Sequence, residues 1–315
     1  MGMAEPEYDV IIVGGGPGGL GAAIFSGLRG MRTLVLEGGS FGGLLTNLYP
    51  QKTVLNYPGY PEGIKAAEIA EGLVEQARAY GVEMRNERVL RINSELVVET
   101  EEGSYTGKAV IIATGSRPRV VGILGEAELN QGDRGVYYYV TDPQKFSGKR
   151  VVVAGGGDTA VDAALALEDV ASEVILVHRR DSFRALEHNV KRVLDSEKIH
   201  VRLETRVQEI MGSERVESVR LIDKEGNASE VRADAVVLAF GLVPNNEIFQ
   251  DLGLELDYEG RIVTDAKQKT SVEGVYAVGD IVAGTGSLEL IIVALAQGAI
   301  AAHHAYLETA EPYWG

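Results

Sequence analysis

An α/β architecture is the fold class this sequence predicts, with two strand–turn–helix–strand units and the second inserted into the first. Three observations carry it. The run Tyr8-Asp-Val-Ile-Ile-Val13 leads into Gly14-Gly-Gly-Pro-Gly-Gly19 and an Ala/Leu-rich segment. The same pattern restarts at Arg150-Val-Val-Val-Ala154 with Gly155-Gly-Gly-Asp-Thr-Ala160. Two proline–glycine crossings, Gly115-Ser-Arg-Pro-Arg119 and Gly241-Leu-Val-Pro-Asn245, bracket the second copy. Short β-branched runs that end in glycine and continue at helical spacing mark βαβ units of a parallel sheet. Residues 1–118 and 245–315 then form one domain and 119–244 the other. Chain segments that leave and re-enter a domain are natural hinges.

The remaining elements follow in order. Thr33-Leu-Val-Leu-Glu37 closes the first unit as its second strand. Ala66 to Tyr80 has helical spacing and stops before Gly81. Leu96 to Tyr105 reads as a hairpin turning at Glu102-Gly103, and Lys108 to Thr114 as a buried strand. In the second unit Val161 to Asp169 is the helix and Glu173-Val-Ile-Leu-Val177 the next strand. Val216 to Ile222 and Ser229 to Arg232 flank the hairpin signal Lys224-Glu-Gly-Asn227, and Ala235 to Phe240 is a further strand.

Composition bounds the chemistry. The 315 residues suffice for about two domains. Cysteine is absent, which removes disulfides, thiolate metal sites and thiol catalysis together. The net charge of −16 argues against a nucleic-acid surface. Arg85, Arg88 and Arg91 read as a solvated face. Met1 to Asp9 lacks the basic flank and apolar run of a signal peptide. Leu288 to Ala302 is apolar but interrupted by Glu289 and Gln297, so it reads as a buried helix and not a membrane span. A cytoplasmic protein without a metal is expected. The adjacent His303 and His304 do not share a helix face, and His188 and His200 read as surface residues.

Both glycine turns have the spacing of Rossmann-like dinucleotide sites. In Gly14-x-Gly16-x-x-Gly19 the first glycine permits the tight turn, the second lets backbone approach a pyrophosphate, and the third lets helix pack on sheet. Pro17 opens the helix, whose free N–H groups face the phosphates. Glu37 ends the next strand about 20 residues on, where an acid accepts from ribose hydroxyls. The second fingerprint is Gly155-x-Gly157-x-x-Ala160, with Asp158 and Thr159 inside it. Its next strand ends in His178-Arg179-Arg180, with Arg184 beyond. Guanidinium groups there clamp a 2′-phosphate that a carboxylate would repel, so NADP(H) is expected over NAD(H).

With these two turns, Asn56-Tyr-Pro-Gly59, Ala113-Thr-Gly115, Phe183-Arg-Ala185 and Thr270-Ser-Val-Glu-Gly-Val-Tyr-Ala-Val-Gly-Asp280, the chain resembles the thioredoxin reductase family of two-domain flavoproteins over nearly its whole length. The resemblance implies FAD in the first site and NADPH in the inserted domain. It places Asp280 on the ribityl chain and Asn56 near the isoalloxazine. Gly43, Leu44, Ala113, Thr114, Gly115 and Gly279 belong to the same FAD set. It also implies a homodimer, and a helix from about Ser287 whose N-terminus points at the flavin.

One departure separates this chain from that family's dithiol members. Their Cys-x-x-Cys opens the NADPH domain, and here that stretch reads Gly135-Val-Tyr-Tyr-Tyr-Val-Thr-Asp142, with Tyr139 near the first cysteine's place. The loop Leu48-Tyr-Pro-Gln-Lys52 resembles that of the ferredoxin–NADP reductase branch, which implies that Tyr49 stacks on the flavin. Thr46 and Tyr139 are further candidates beside the ring, and Tyr313 or Trp314 in the short tail are candidates to cap a flavin. The expected activity is electron transfer between NADPH and ferredoxin or flavodoxin. A reductase of quinone or oxygen and a non-catalytic redox sensor are the alternatives.

Overall fold

The computed structural model describes residues 7–48, 50–284 and 289–309. The chain divides into two compact units, Met1–Arg117 with Val243–Gly315, and Pro118–Leu242. Among the described residues no helix is long and apolar enough to cross a membrane.

The first unit is built on β1 (Tyr8–Val13), α1 (Pro17–Leu28), β2 (Thr33–Leu36), α2 (Ala66–Ala79), β3 (Glu83–Arg85), β4 (Val89–Ile92), β5 (Val97–Thr100) and β6 (Ser104–Ile112). Strands β3, β2, β1 and β6 lie side by side in parallel. β6 is long enough to serve more than one partner along its length. Its first half pairs antiparallel with β5, and its second half pairs parallel with β1, in the register Val10↔Ala109. The apolar run from Val10 to Ile12 is wholly buried, as a parallel sheet covered on both faces requires. Helix α2 contributes Ala66, Ile69, Ala70, Leu73 and Ala77, one stripe at helical spacing.

The second unit contains β7 (Val136–Tyr137), β8 (Arg150–Ala154), α3 (Asp158–Glu168), β9 (Glu173–Val177), α4 (Glu187–Asp195), β10 (Ile199–Arg202), β11 (Thr205–Met211), β12 (Ser218–Asp223), β13 (Ala228–Arg232) and β14 (Ala235–Leu238). Its parallel sheet runs β7-β14-β8-β9-β10, and β11-β12-β13 form a separate antiparallel sheet. Helix α3 starts at Asp158 and not at Val161, so Asp158, Thr159 and Ala160 make its first turn.

The chain returns to the first unit through β15 (Val275–Ala277), which pairs parallel with β6, and α5 (Ile291–Thr309). α5 lies against α1 at backbone contact distance. A β-carbon at Gly298 would stand 2.3 Å from the Gly18 carbonyl oxygen, and one at Gly21 2.9 Å from that of Leu295. Only hydrogen fits at these crossings. α5 begins at Ile291, later than the expected start near Ser287, which lies outside the described residues. Glu289 and Leu290 precede it without helical form, and Glu289 accepts from Arg261 at 2.9 Å.

Candidate dinucleotide sites

The first glycine turn follows β1 and opens α1. Gly14 has φ +110°, and a β-carbon there would stand 2.3 Å from the Ala113 carbonyl oxygen. A β-carbon at Gly19 would stand 1.9 Å from the Gly14 carbonyl oxygen. Both are glycine because protein atoms occupy the space. Gly16 differs: the nearest atom to its missing β-carbon is the Gly43 Cα, at 3.9 Å. The protein's own packing gives no reason for glycine there. A group pressed against the backbone does, and the pyrophosphate of a dinucleotide fits that open side.

Several expected residues converge on this turn. Glu37 accepts from the Gly15 N–H and the Gly39 N–H, each at 2.7 Å, so its carboxylate braces the loop. The short helix Leu44–Asn47 begins at Gly43, which backs onto Gly16. The Thr46 hydroxyl donates to the Phe41 carbonyl at 2.9 Å. The Ala113 N–H donates to Val13, extending the sheet beneath Gly14. Thr114 and Gly115 are locked to Asn245 by three hydrogen bonds of 2.8 to 3.0 Å. Gly279 approaches Gly18, and its N–H donates to the buried Gln297 carboxamide at 2.8 Å. Asp280 follows it. Burial pushes the Asp280 carboxyl up to about 6, and the Glu289 carboxylate adds to the rise, while Arg261 and the Ser116 hydroxyl oppose it. Asn56 lies exposed on the loop after Val54. Tyr49, Tyr313 and Trp314 lie outside the described residues.

The second turn repeats the steric logic. A β-carbon at Gly155 would stand 2.5 Å from the Ala239 carbonyl oxygen and 2.8 Å from the Ala160 β-carbon, so Gly155 and Ala160 are packed together. Gly157 has nothing within 4 Å. Beside it opens a cavity of about 700 Å³ lined by Thr159, His178, Arg179, Arg180 and Arg184, with no Asp or Glu in its wall. The side chains of these arginines make no hydrogen bond or ion pair with another described residue. Backbone positions Arg184 instead: its N–H donates to the Gly156 carbonyl at 2.7 Å. The His178 ring covers Gly156 and stacks on Phe183, with centroids 5.5 Å apart. Its Nε2 is buried without a hydrogen-bond partner among the described residues. Burial holds its pKa below the ordinary value, helped by Arg179 and Arg184. Asp158 does not line the cavity; its carboxylate accepts the Leu186 N–H at 2.8 Å and fastens the segment after Arg184.

The structure adds residues that pattern reading passed over. Arg119 and Arg206 also line this cavity of about 700 Å³; Arg119 closes the Gly115–Arg119 crossing, which reads as a turn signal only, and Arg206 lies on a segment that carries no motif. In the stretch where the family's dithiol members carry Cys-x-x-Cys, Tyr138 donates to Glu126 at 3.2 Å and Tyr139 is buried. Within the basic run at 85–91, Arg85 pairs with Glu83 and Arg91 with Asp251. Among the described residues no cluster of three or more metal-ligating side chains occurs.

Known proteins extend this geometry. The model of the pyridine nucleotide-disulphide oxidoreductase family matches residues 8–298. A thioredoxin reductase of Treponema pallidum is 40% identical over 312 residues, covering 97% of this chain and 99% of that protein. A ferredoxin–NADP reductase of Metallosphaera sedula is 38% identical, covering 94% and 91%. Another, from Thermus thermophilus, is also 38% identical, covering 96% and 93%. Among solved structures, Lactococcus lactis thioredoxin reductase superposes with a TM-score of 0.86 at 35% identity, over 96% of this chain and 99% of that one.

Proposed function

The chain belongs to the pyridine nucleotide-disulphide oxidoreductase family and is an oxidoreductase that uses FAD and NADPH, and from that premise we propose that its electrons pass to a separate protein carrier, ferredoxin or in its place flavodoxin. The observation that carries the reading is the absence of cysteine from all 315 residues. A thioredoxin reductase relays electrons through a dithiol, and this chain has none to offer. The relatives named ferredoxin–NADP reductase support the same direction.

In this reading the unit of residues 1–117 and 243–315 holds FAD. Gly14, Gly16 and Gly19 with the start of α1 receive the pyrophosphate. Glu37 takes the adenosine ribose, and Gly43, Leu44, Asn56, Ala113, Thr114, Gly115, Gly279 and Asp280 line the rest. Residues 118–242 hold NADPH on Gly155, Gly157, Thr159 and Ala160, with His178, Arg179, Arg180 and Arg184 at the 2′-phosphate and Asp158 bracing the loop. Tyr49 is the stacking partner of the flavin. Bound together, the two cofactors would supply hydride and electron-transfer chemistry. The protein contributes position and field, and no acid–base residue is required of it. A cytoplasmic homodimer completes the proposal. Ile292, Ile300 and Leu307, spaced along one side of α5 and each at least one-third exposed, support such an interface.

The test is anaerobic. The purified enzyme is reduced with NADPH, then given ferredoxin with cytochrome c as reporter. Fast ferredoxin-dependent reduction is expected. Turnover with quinone or oxygen alone would move the protein to small acceptors, and failure of NADPH to bleach the flavin would overturn its place as electron donor.

A further inference from the structure

We infer that Arg206 is a specificity-determining residue of the inserted unit, gripping the phosphomonoester on the adenosine ribose from the strand that lies beside Arg179. The inference rests on the reading that this unit binds NADPH.

Two backbone hydrogen bonds bring Arg206 to the arginine run. The Thr205 N–H donates to the His178 carbonyl at 2.9 Å, and the Glu204 N–H to the Arg180 carbonyl at 3.0 Å. The start of β11 is therefore clamped along the end of β9, although some 25 residues of chain separate the two. Arg179, Thr205 and Arg206 also border a second cavity of about 360 Å³, so they form the partition between the two basins. Arg179 and Arg206 thus border the same stretch of the larger cavity, where a phosphate has both guanidinium groups at hand.

The local charges are arranged to leave Arg206 available. Glu204 is the nearest acid in sequence and would be its natural ion-pair partner. Lys224 holds that carboxylate instead, with Nζ 2.5 Å from Oε2, and Glu204 faces the smaller basin only. Arg206 is exposed and its side chain makes no hydrogen bond or ion pair with another described residue. A free, fork-shaped donor in an acid-free wall is suited to a dianionic phosphate.

Calorimetry on the FAD-loaded enzyme tests this with two probes that lack nicotinamide, adenosine 2′,5′-bisphosphate and adenosine 5′-monophosphate. Arg206→Gln is expected to weaken the bisphosphate roughly tenfold or more and leave the monophosphate unchanged, as loss of one charge-assisted contact predicts. Arg206→Lys should fall between. Arg232→Gln, which removes an equal charge from exposed β13, should change neither. Equal loss on both probes, or loss on neither, overturns the inference. The two readings fail separately. A wild type without preference for the bisphosphate removes the NADPH reading and this role with it. A wild type whose preference vanishes in Arg179→Ala but survives in Arg206→Gln removes Arg206 alone. Unchanged flavin absorbance and unfolding midpoint show that each variant is folded.

Discussion

The two glycine turns are built to one plan and finished in opposite ways. Each opens with a glycine packed too tightly for a β-carbon and has a middle glycine that nothing in the protein crowds closer than 3.9 Å. At the first turn the adjoining strand ends in Glu37, whose carboxylate is already bonded to two N–H groups of the loop. At the second it ends in arginines whose side chains bond nothing described, while a backbone bond from Arg184 to Gly156 does the bracing. The difference teaches how specificity is stored. In the first unit the residue proposed to read the ribose also holds the turn. In the second, reading and holding are divided between side chain and backbone.

The sharpest way to break this comparison is to place a methyl group at corresponding glycines. Gly14→Ala puts a β-carbon against a carbonyl in a left-handed conformation and should cost about 3–5 kcal/mol, from overpacking and strain together. Gly16→Ala adds a β-carbon that meets nothing closer than 3.9 Å, at φ −77°, so urea unfolding of the flavin-free protein should stay within about 0.5 kcal/mol of wild type. Yet the purified protein should retain little FAD. Gly157→Ala should keep FAD and lose NADPH. Full flavin occupancy in Gly16→Ala would show that no pyrophosphate lies against that backbone.

The second prediction concerns the acid that the first site keeps and the second lacks. Asp280 has its folded pKa raised to about 6 by burial. A raised carboxyl pKa means that ionisation is harder in the folded state. The resulting penalty is absent at low pH, grows as pH rises from about 4 to 6, and is complete above that. Asp280→Asn should therefore stabilise the flavin-free protein at pH 8 by up to about 3 kcal/mol and leave it unchanged near pH 3, read by denaturant titrations across that range. A difference independent of pH would mean that the carboxyl does not titrate there.

Much of this was legible in the residues because it rests on local pattern. The two turns, the strands feeding them and Glu37 against Arg179–Arg180 are short-range signals in which glycine spacing and charge stand next to each other. The missing parts are non-local. Helix α4 has nine residues and carries only Val190, Val193 and Leu194 as an apolar set, of which Val193 alone is buried, so its stripe is too short to stand out. Asp158 looks like part of the phosphate loop in sequence, and only the fold turns it toward Leu186, 28 residues away. Arg119 and Arg206 join the cavity through backbone pairings between distant segments, which no spacing rule encodes.

The third prediction sharpens the charge contrast. Arg179→Ala combined with Arg180→Ala should weaken NADPH binding by roughly 10- to 100-fold, the usual worth of lost charge-assisted hydrogen bonds, while NADH changes by less than about threefold. Nothing described depends on these side chains for its own hydrogen bonds, so the unfolding midpoint should not move. Titration of the flavin spectrum with each nucleotide reads the ratio. An unchanged preference would take the 2′-phosphate away from these residues.

The smallest effect lies at Glu37, and it probes the asymmetry most directly. Each of its oxygens accepts one loop N–H, from Gly15 and from Gly39, at 2.7 Å. Glu37→Gln keeps one carbonyl oxygen and sets an amide nitrogen against the other N–H. The loss should be about 1 kcal/mol of stability, with a matching weakening of FAD. Glu37→Arg should do worse than remove an acid: it leaves both N–H groups without their acceptor, so it should not convert the turn into a 2′-phosphate site. The reverse change, Arg179→Glu, removes no hydrogen bond made by a described residue and should shift preference toward NADH without loss of fold. Flavin occupancy, nucleotide preference and urea midpoints of the two charge reversals, compared side by side, decide the matter. If Glu37→Arg holds its turn and its flavin as well as Arg179→Glu holds its fold, reading and holding are no more joined at the first site than at the second.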